Sequence, residues 1–457
     1  NVTAIFKKGN KRKAKNYRPV SLTSVCCKIL ESIIRDAIMD HMKENDFFSP
    51  QQHGFLPGRS TMTQLLESLE EWTQMIEEND GIDILYCDFR KAFDSVPHER
   101  LLRKIQSYGI KGDIGRWINK FLSERKQRVS VNGKFSSWCS VTSGVPQGSV
   151  LGPLLFVNFI NDLPEVVNCG VKIYADDTKL YGKVNSEEDS DELQRNVNEI
   201  LQWSLDWQIF FHPEKCCILH IGKNSNEYKY TMGKDQEAVV LKETKCEKDL
   251  GVYIDKDLLF DKHCETITLA ANRLVGIMRR AFDHISKDVF KYLYKGIIRP
   301  KLEYASSVWS PIRDKEIDLM EGVQRRATKL VIGMNDLSYE ERLKNLGLPT
   351  LKFRRLRGDM IQVYKYTHGL YDTCWENMLP VVGQTMLRRH QYKLDKIRNS
   401  NKIRRHFFSQ RVVNDWNMLP CNVVEAPSVD SFKNRLDKHW KNLPQFYNHK
   451  ASMDIFS

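Results

Sequence analysis

Residues 171–181 read VKIYADDTKLY, and few stretches restrict a fold so tightly. Val171, Ile173 and Ala175 alternate with Lys172 and Tyr174, and Leu180 and Tyr181 follow on the far side, so the period-two pattern predicts two short strands around a tight turn. Two adjacent carboxylates, Asp176 and Asp177, fall at that turn. Asp is at home in turns because its side chain can bond the local backbone. That alone would account for the pair without any function, so the rest of the chain has to decide.

A third carboxylate, Asp88, ends the apolar strand Ile82–Cys87 in GIDILYCDF. A charge at the end of a buried strand costs several kcal/mol unless a cation compensates it. Three oxygen donors from two strands suit Mg²⁺, which favours carboxylate, water and phosphate oxygens. Two such ions about 4 Å apart can activate a 3′-hydroxyl and stabilise leaving pyrophosphate. The charge balance agrees: 70 Lys and Arg stand against 58 Asp and Glu, a net +12. The excess is uneven, with seven basic residues and no acid in 7–18, and nine in 388–411 opposed only by Asp395. Such runs suit a polyphosphate partner, although a single basic run is also what an ordinary solvated surface looks like.

The 457 residues are enough for roughly two to four packing units, and 41% hydrophobic with 28% charged residues excludes wholesale disorder. The longest apolar stretch, Val150 to Ile160, holds Gly152, Pro153 and Asn158 and falls well short of the ~20 residues of a bilayer span; no membrane partner is expected. Eleven cysteines, including the doublets Cys26-Cys27 and Cys216-Cys217, show no C-x-x-C pair and read as reduced core thiols of a nuclear or cytosolic protein. The chain begins at Asn1 rather than at a methionine, so it reads as a fragment, with no signal peptide to interpret.

Along the chain, Pro19 fixes an extended segment before a helix whose Ile29, Ile33, Ala37 and Met39 mark one face. A second helix runs from Thr61 to about Glu78, and Pro97 opens another. RVSVNGKFSSW reads as a hairpin turning at Asn132-Gly133, and TSGVPQGSVLGPLLFVNFINDLPEVV as a loop entering a buried helix. Ser186 starts an acidic-headed helix with Leu193, Val197, Ile200 and Leu201 as its stripe. CCILHIG and DLGVYID read as strands, and residues from Leu258 to Leu346 as nearly all helical. The order predicts an α+β fold with helices packed on a sheet.

YCDFRKAFD, SGVPQGSVLGP and YADDT, in this order, resemble the palm motifs of reverse transcriptases. YRPVSL, HGFLPGRST and DLGVYID resemble those of non-LTR, LINE-like retrotransposons of the jockey and chicken-repeat type. LEYASSVWSP, VQRRATKLV and VVNDWNMLP extend the resemblance over nearly the whole chain. It implies a right-hand polymerase with fingers over 1–80 and a palm over 81–256. The palm would be interrupted by a finger hairpin at about 105–142 and would end in a primer grip at about 246–256. A helical thumb over 257–345 and a mostly helical, basic C-terminal region over 346–457 would follow.

The resemblance makes Asp88, Asp176 and Asp177 the catalytic carboxylates and, with the backbone carbonyl of Phe89, the ligands of two Mg²⁺ ions, for which Mn²⁺ could substitute. It sets Phe93, five residues after Asp88, beside the sugar 2′ position, where an aromatic ring favours dNTPs; alone, Phe93 would be a core aromatic. Gln147 and Gly148 would lie under the incoming nucleotide, Gly148 allowing close backbone approach. Lys215 would reach the triphosphate as a general acid, and Arg18 and Arg59 would grip triphosphate or template. Leu250, Gly251 and Val252 would form the primer grip, and Arg279-Arg280 and Arg325-Arg326 would contact phosphates. His53, His212 and His220 lack metal-ligand spacing. The basic tail is expected to bind nucleic acid through its charge and through Tyr392, Phe407 and Phe408.

The implied partners are an RNA template, a DNA primer or target and dNTPs, with target-primed synthesis by analogy; nothing fixes an oligomeric state. No N-terminal endonuclease is recognisable. Two alternatives remain open on sequence: a group II intron type reverse transcriptase, and a truncated or domesticated RNA-binding copy without catalysis.

Overall fold

The computed structural model describes residues 1–222, 228–233, 238–373, 375–382 and 390–451. The chain divides into two compact units. Asn1–Ser60, Ile82–His220 and Ser225–Thr244 form the first; Thr61–Gly81, Ile221–Asn224 and Lys245–Ser457 form the second.

The first unit is built on a five-stranded sheet in the order Lys242–Thr244, Cys217–Ile221, Ile82–Cys87, Asp177–Lys183, Gly170–Tyr174. The last two strands are the expected hairpin: Tyr174 pairs with Asp177, leaving Ala175 and Asp176 at the turn. The central strand Ile82–Cys87 runs antiparallel to Asp177–Lys183, from Ile82 opposite Lys183 to Cys87 opposite Thr178. Helix Gly152–Ile160 is apolar all round and accordingly buried, with Leu155, Phe156, Val157, Phe159 and Ile160 fully enclosed. Helix Glu187–Trp207 starts at Ser186, whose capping box with Asp189 satisfies its first amides. Its Leu193, Val197 and Ile200 are buried and Leu201 is half-buried against the same core.

A second sheet joins Tyr17–Ser21, Val2–Phe6, Val129–Val131 and Lys134–Phe135 in that order. Its hairpin turns at Asn132 (φ 49°) and Gly133 (φ 77°), the pair of left-handed residues that an Asn-Gly turn supplies. Two expectations are corrected. Helix Val25–Glu44 buries Ile34, Ile38, Met39 and Met42, whereas Ile29 and Ile33 are 58% and 62% exposed. Apolar residues line two sides of this helix, and periodicity alone does not say which side meets the core. DLGVYID is not one strand but the bend of a hairpin, Cys246–Asp249 against Val252–Asp255, with Leu250 (φ 44°) and Gly251 (φ 93°) at the turn.

The second unit, apart from that hairpin, is mainly helical, with Thr61–Glu77, Asp261–Ala281, Asp314–Thr328, Tyr339–Leu346 and Leu351–Thr367 as its main rods. Its basic C-terminal stretch is knitted inward. Arg404 forms a buried ion pair with Glu70, and Glu77 accepts the amides of Ser400 (2.6 Å) and Asn401 (2.9 Å). Phe407 and Phe408 are buried and Tyr392 stacks on His368 at 4.4 Å. Of the rings expected to serve nucleic-acid binding, Phe407 and Phe408 are thus taken up in packing, while Tyr392 stays half-buried. Arg398, Lys402 and Arg405 remain exposed, and Arg388 lies outside the described residues. Among the described residues no cysteine is in a disulfide; Cys87, Cys216, Cys217 and Cys264 are buried, but Cys26 and Cys139 are exposed rather than core thiols. Among the described residues no helix is long and apolar enough to cross a membrane.

Candidate active site

Asp88 follows directly on the central strand, and one further step of the register that pairs Cys87 with Thr178 sets it opposite Asp177. Its backbone is pinned: His212 N–H donates to the Asp88 carbonyl (2.7 Å) and Arg90 N–H to the Phe210 carbonyl (2.7 Å). Phe89, 2% exposed, stacks on Phe211 with centroids 4.2 Å apart. The Asp88 carboxylate stays half-exposed and accepts from Lys215 Nζ at 3.1 Å. Thus Lys215, picked from sequence for its approach to a triphosphate, sits on a catalytic candidate.

Asp176 lies close enough to Asp88 to feel its charge. Burial pushes the Asp176 carboxyl above its ordinary value and the Asp88 carboxylate adds to this, while Arg18 and Lys7 oppose it. Asp177 is exposed on the same hairpin. Arg18 projects from strand Tyr17–Ser21 and also acts on Asp94, whose carboxyl burial likewise raises.

Among the described residues, no three His, Cys, Asp or Glu side chains are already gathered tightly enough to hold a metal ion. The donors nevertheless fit a hard cation. They are carboxylates only, and the like-charged Asp88 and Asp176 already draw Lys215, Arg18 and Lys7 around them.

The loop SGVPQG closes one side. Gln147 Nε2 donates to Asp94 Oδ1 at 3.0 Å, and the Gln147 carbonyl accepts the Ser21 amide at 2.7 Å. Gly148 has φ 102°, and a Cβ there would stand 2.7 Å from the Ser21 carbonyl oxygen, so only glycine lets the two backbones meet. Buried Glu31 accepts the amides of Val150 (2.7 Å) and Leu151 (3.0 Å) just before helix Gly152–Ile160. Phe93 stacks on Phe156 at 4.4 Å and meets Phe55 edge-on at 6.3 Å, leaving it half-buried rather than lost in the core.

Arg59 is engaged otherwise than the sequence suggests: its Nη1 donates to the carbonyls of Ser49 (2.8 Å) and Gln52 (2.8 Å), bracing the segment before it. Leu250, Gly251 and Val252 lie in the second unit, where the Leu250 carbonyl accepts from Tyr304 Oη at 2.9 Å. In that unit Arg279 and Arg280 are exposed, while Arg325 lies over Tyr339 and Arg326 bonds Asn272.

Sequence reasoning missed Glu31 and Gln52, which carry no motif of their own. Asp94 was passed over although it closes the quoted YCDFRKAFD. It also missed what backs the central strand, where buried Asp83 bonds His220 Nδ1 (2.6 Å) and Tyr230 Oη (2.7 Å).

Residues 5–254 match the reverse transcriptase (RNA-dependent DNA polymerase) family. The chain is 27% identical over 350 residues to a probable RNA-directed DNA polymerase from transposon X-element of Drosophila melanogaster, covering 73% of this chain and 37% of that protein. It is also 27% identical over 333 residues to the RNA-directed DNA polymerase from mobile element jockey of Drosophila funebris, covering 70% and 36%. The chain thus spans little more than a third of the length of these curated relatives. Among solved structures, a telomerase from Candida albicans in complex with a telomeric RNA fragment matches with a TM-score of 0.41 at 10% identity, covering 74% of this chain and 63% of that one. The motif-bearing residues on the five-stranded sheet and the family match over more than half the chain place this protein in the reverse transcriptase family, in its LINE-like, non-LTR branch with the right-hand polymerase fold.

Proposed function

We propose that the chain is the RNA-directed DNA polymerase part of a non-LTR retrotransposon protein, adding dNTPs to a DNA 3′ end on an RNA template. The observation that carries this reading is that Asp88 and Asp176, at one end of the sheet, lie close enough to act on each other's charge, with Lys215 bonded to Asp88 and Arg18 within electrostatic reach of Asp176. Asp88, Asp176, Asp177 and the Phe89 carbonyl are the groups that would hold Mg²⁺, or Mn²⁺ in its place. Such ions, when bound, supply Lewis-acid activation of the 3′-hydroxyl and neutralise charge on the triphosphate.

The chain's own residues do the rest. Arg18 and Lys215 attract the polyanionic nucleotide, and Lys215 Nζ can pass from Asp88 to the departing pyrophosphate and protonate it. Gln147 and Gly148 floor the nucleotide site. Phe93, held by Phe156, fills the space a ribose 2′-hydroxyl would need. Leu250, Gly251 and Val252 act as the primer grip, and Arg59 serves the site by stiffening its supporting segment. Fingers over 1–80, palm over 81–256, thumb over 257–345 and a basic region over 346–457 remain the functional division proposed.

Primer extension tests the reading. The chain should extend a DNA primer on an RNA template with dNTPs and a divalent cation, and a chelator should stop it. Absence of extension with the primer–template demonstrably bound would leave a nucleic-acid-binding relative without polymerase chemistry.

A further inference from the structure

The strand that leads into the carboxylate turn has a neighbour outside the sheet. Segment 51–54 lies alongside Gly170–Tyr174 as a parallel bridge between Gln52 and Ile173. Ile173 N–H donates to the Gln51 carbonyl (2.9 Å), and His53 N–H to the Ile173 carbonyl (2.8 Å). Between these bonds the Gln52 side chain, 1% exposed, points at the turn. Its Oε1 accepts the Gly54 amide at 2.7 Å and the Ala175 amide at 3.0 Å. Two N–H groups aimed at one atom identify that atom as the oxygen.

The turn needs such a partner. Ala175 has φ 54°, a left-handed conformation that costs a residue with a Cβ, and it is 4% exposed, so its amide has no solvent to fall back on. Gly54 is fitted to the same contact, because a Cβ there would stand 2.4 Å from the Ala175 nitrogen. The segment cannot drift, since Arg59 Nη1 holds the Gln52 carbonyl at 2.8 Å.

We propose that Gln52 is a positioning residue for nucleotidyl transfer: its side-chain oxygen fixes the strained Ala175–Asp176 turn and so sets where the Asp176 carboxylate stands. This rests on the polymerase reading above. Gln52 is 1% exposed, with its side-chain oxygen turned to the Gly54 and Ala175 amides, so its loss should act on turnover rather than on binding.

The test compares Gln52→Met, which keeps the size and removes the acceptor, with Gln52→Glu, which keeps an acceptor oxygen of equal reach. On an annealed RNA template and DNA primer with Mg²⁺, Gln52→Met should lower the rate of single-dNTP incorporation by about 10- to 100-fold, the cost of misplacing a reacting group by about 1 Å. Its dNTP KM and its affinity for the hybrid should stay near those of the parent chain, while its melting temperature falls by about a few °C because two buried amides lose their acceptor. Gln52→Glu should recover part of the rate, the remainder being lost to a further buried carboxyl beside the Asp176 turn. Amide exchange at Ala175, read without any turnover, should speed up in Gln52→Met and not in Gln52→Glu.

Parent-like incorporation and Ala175 exchange in Gln52→Met would overturn the proposal. So would a rate loss matched by lost hybrid binding or by a chain largely unfolded at the assay temperature, which would make Gln52 a folding residue. A parent chain that binds the hybrid but incorporates nothing would overturn the polymerase reading instead, and the catalytic part of this proposal with it, while altered Ala175 exchange would still show that Gln52 holds the turn.

Discussion

Asp176 occupies a setting that works against its own charge, since burial and the neighbouring Asp88 carboxylate both raise its carboxyl above the ordinary range. A cation ligand must be ionised, so incorporation should fall as pH drops and protons compete with the cation for the carboxylate. The sign for stability is the reverse. A carboxyl raised in the fold contributes stability that is fully present below its unfolded value and is lost as pH rises through its folded value. Asp176→Asn should therefore be inactive yet melt higher than the parent chain at pH 7, by about a few °C, with the gap closing near pH 4. Thermal melts at both pH values check this, and a gap that does not depend on pH would contradict it. Phe93 gives a second expectation at this scale. Phe93→Val should raise rNTP use relative to dNTP use on the order of tenfold to a hundredfold, measured as paired incorporation rates on one template, and an unchanged ratio would place the selection elsewhere.

Elements whose information is local were readable from the chain. The Asn132-Gly133 turn, the capped helix after Ser186, the two-residue turn after Tyr174 and the buried helix at Gly152–Ile160 all follow from spacing and turn chemistry. What could not be read is whatever depends on a distant partner: which side of helix Val25–Glu44 faces the core, that Glu31 caps a loop more than a hundred residues away, and that Gln52 reaches Ala175. DLGVYID was misread because a left-handed Leu250 has no sequence signal.

The Asn-Gly hairpin also exposes something. Phe135 and Trp138 are 52% and 54% exposed, and Arg128 lies 4.0 Å and 4.6 Å above their rings. Exposed aromatics that share one guanidinium form a platform for unpaired bases. Phe135→Ala with Trp138→Ala should weaken single-stranded RNA binding by about tenfold or more, read by fluorescence anisotropy; unchanged affinity would show that the platform is unused.

For the molecule as a whole, the carboxylates, the palm motifs and the helical character of the second unit could be anticipated, because the chemistry and periodicity that specify them are continuous in sequence. The fate of the basic tail could not. Its charge suggested a nucleic-acid contact, and part of that charge is spent inside the fold, where Arg404 pairs with Glu70 and Arg411 with Asp359. Removing one member of a buried pair strands the other, so Arg404→Ala should cost about 3 kcal/mol or more. Denaturant unfolding should show this loss, with much of it restored when Glu70→Leu is added; no loss in the single variant would mean that the pair is not closed in solution.

The central claim is that the turn after Ala175 presents catalytic carboxylates, and one comparison reaches it directly. Single-nucleotide incorporation on an RNA template with an annealed DNA primer and Mg²⁺ should be measured for the parent chain and for Asp176→Asn, with hybrid binding measured alongside. The account predicts incorporation by the parent chain, loss of at least about a thousandfold in the variant as for other groups central to transition-state charge, and equal binding by both. Incorporation by Asp176→Asn at the parent rate would contradict it.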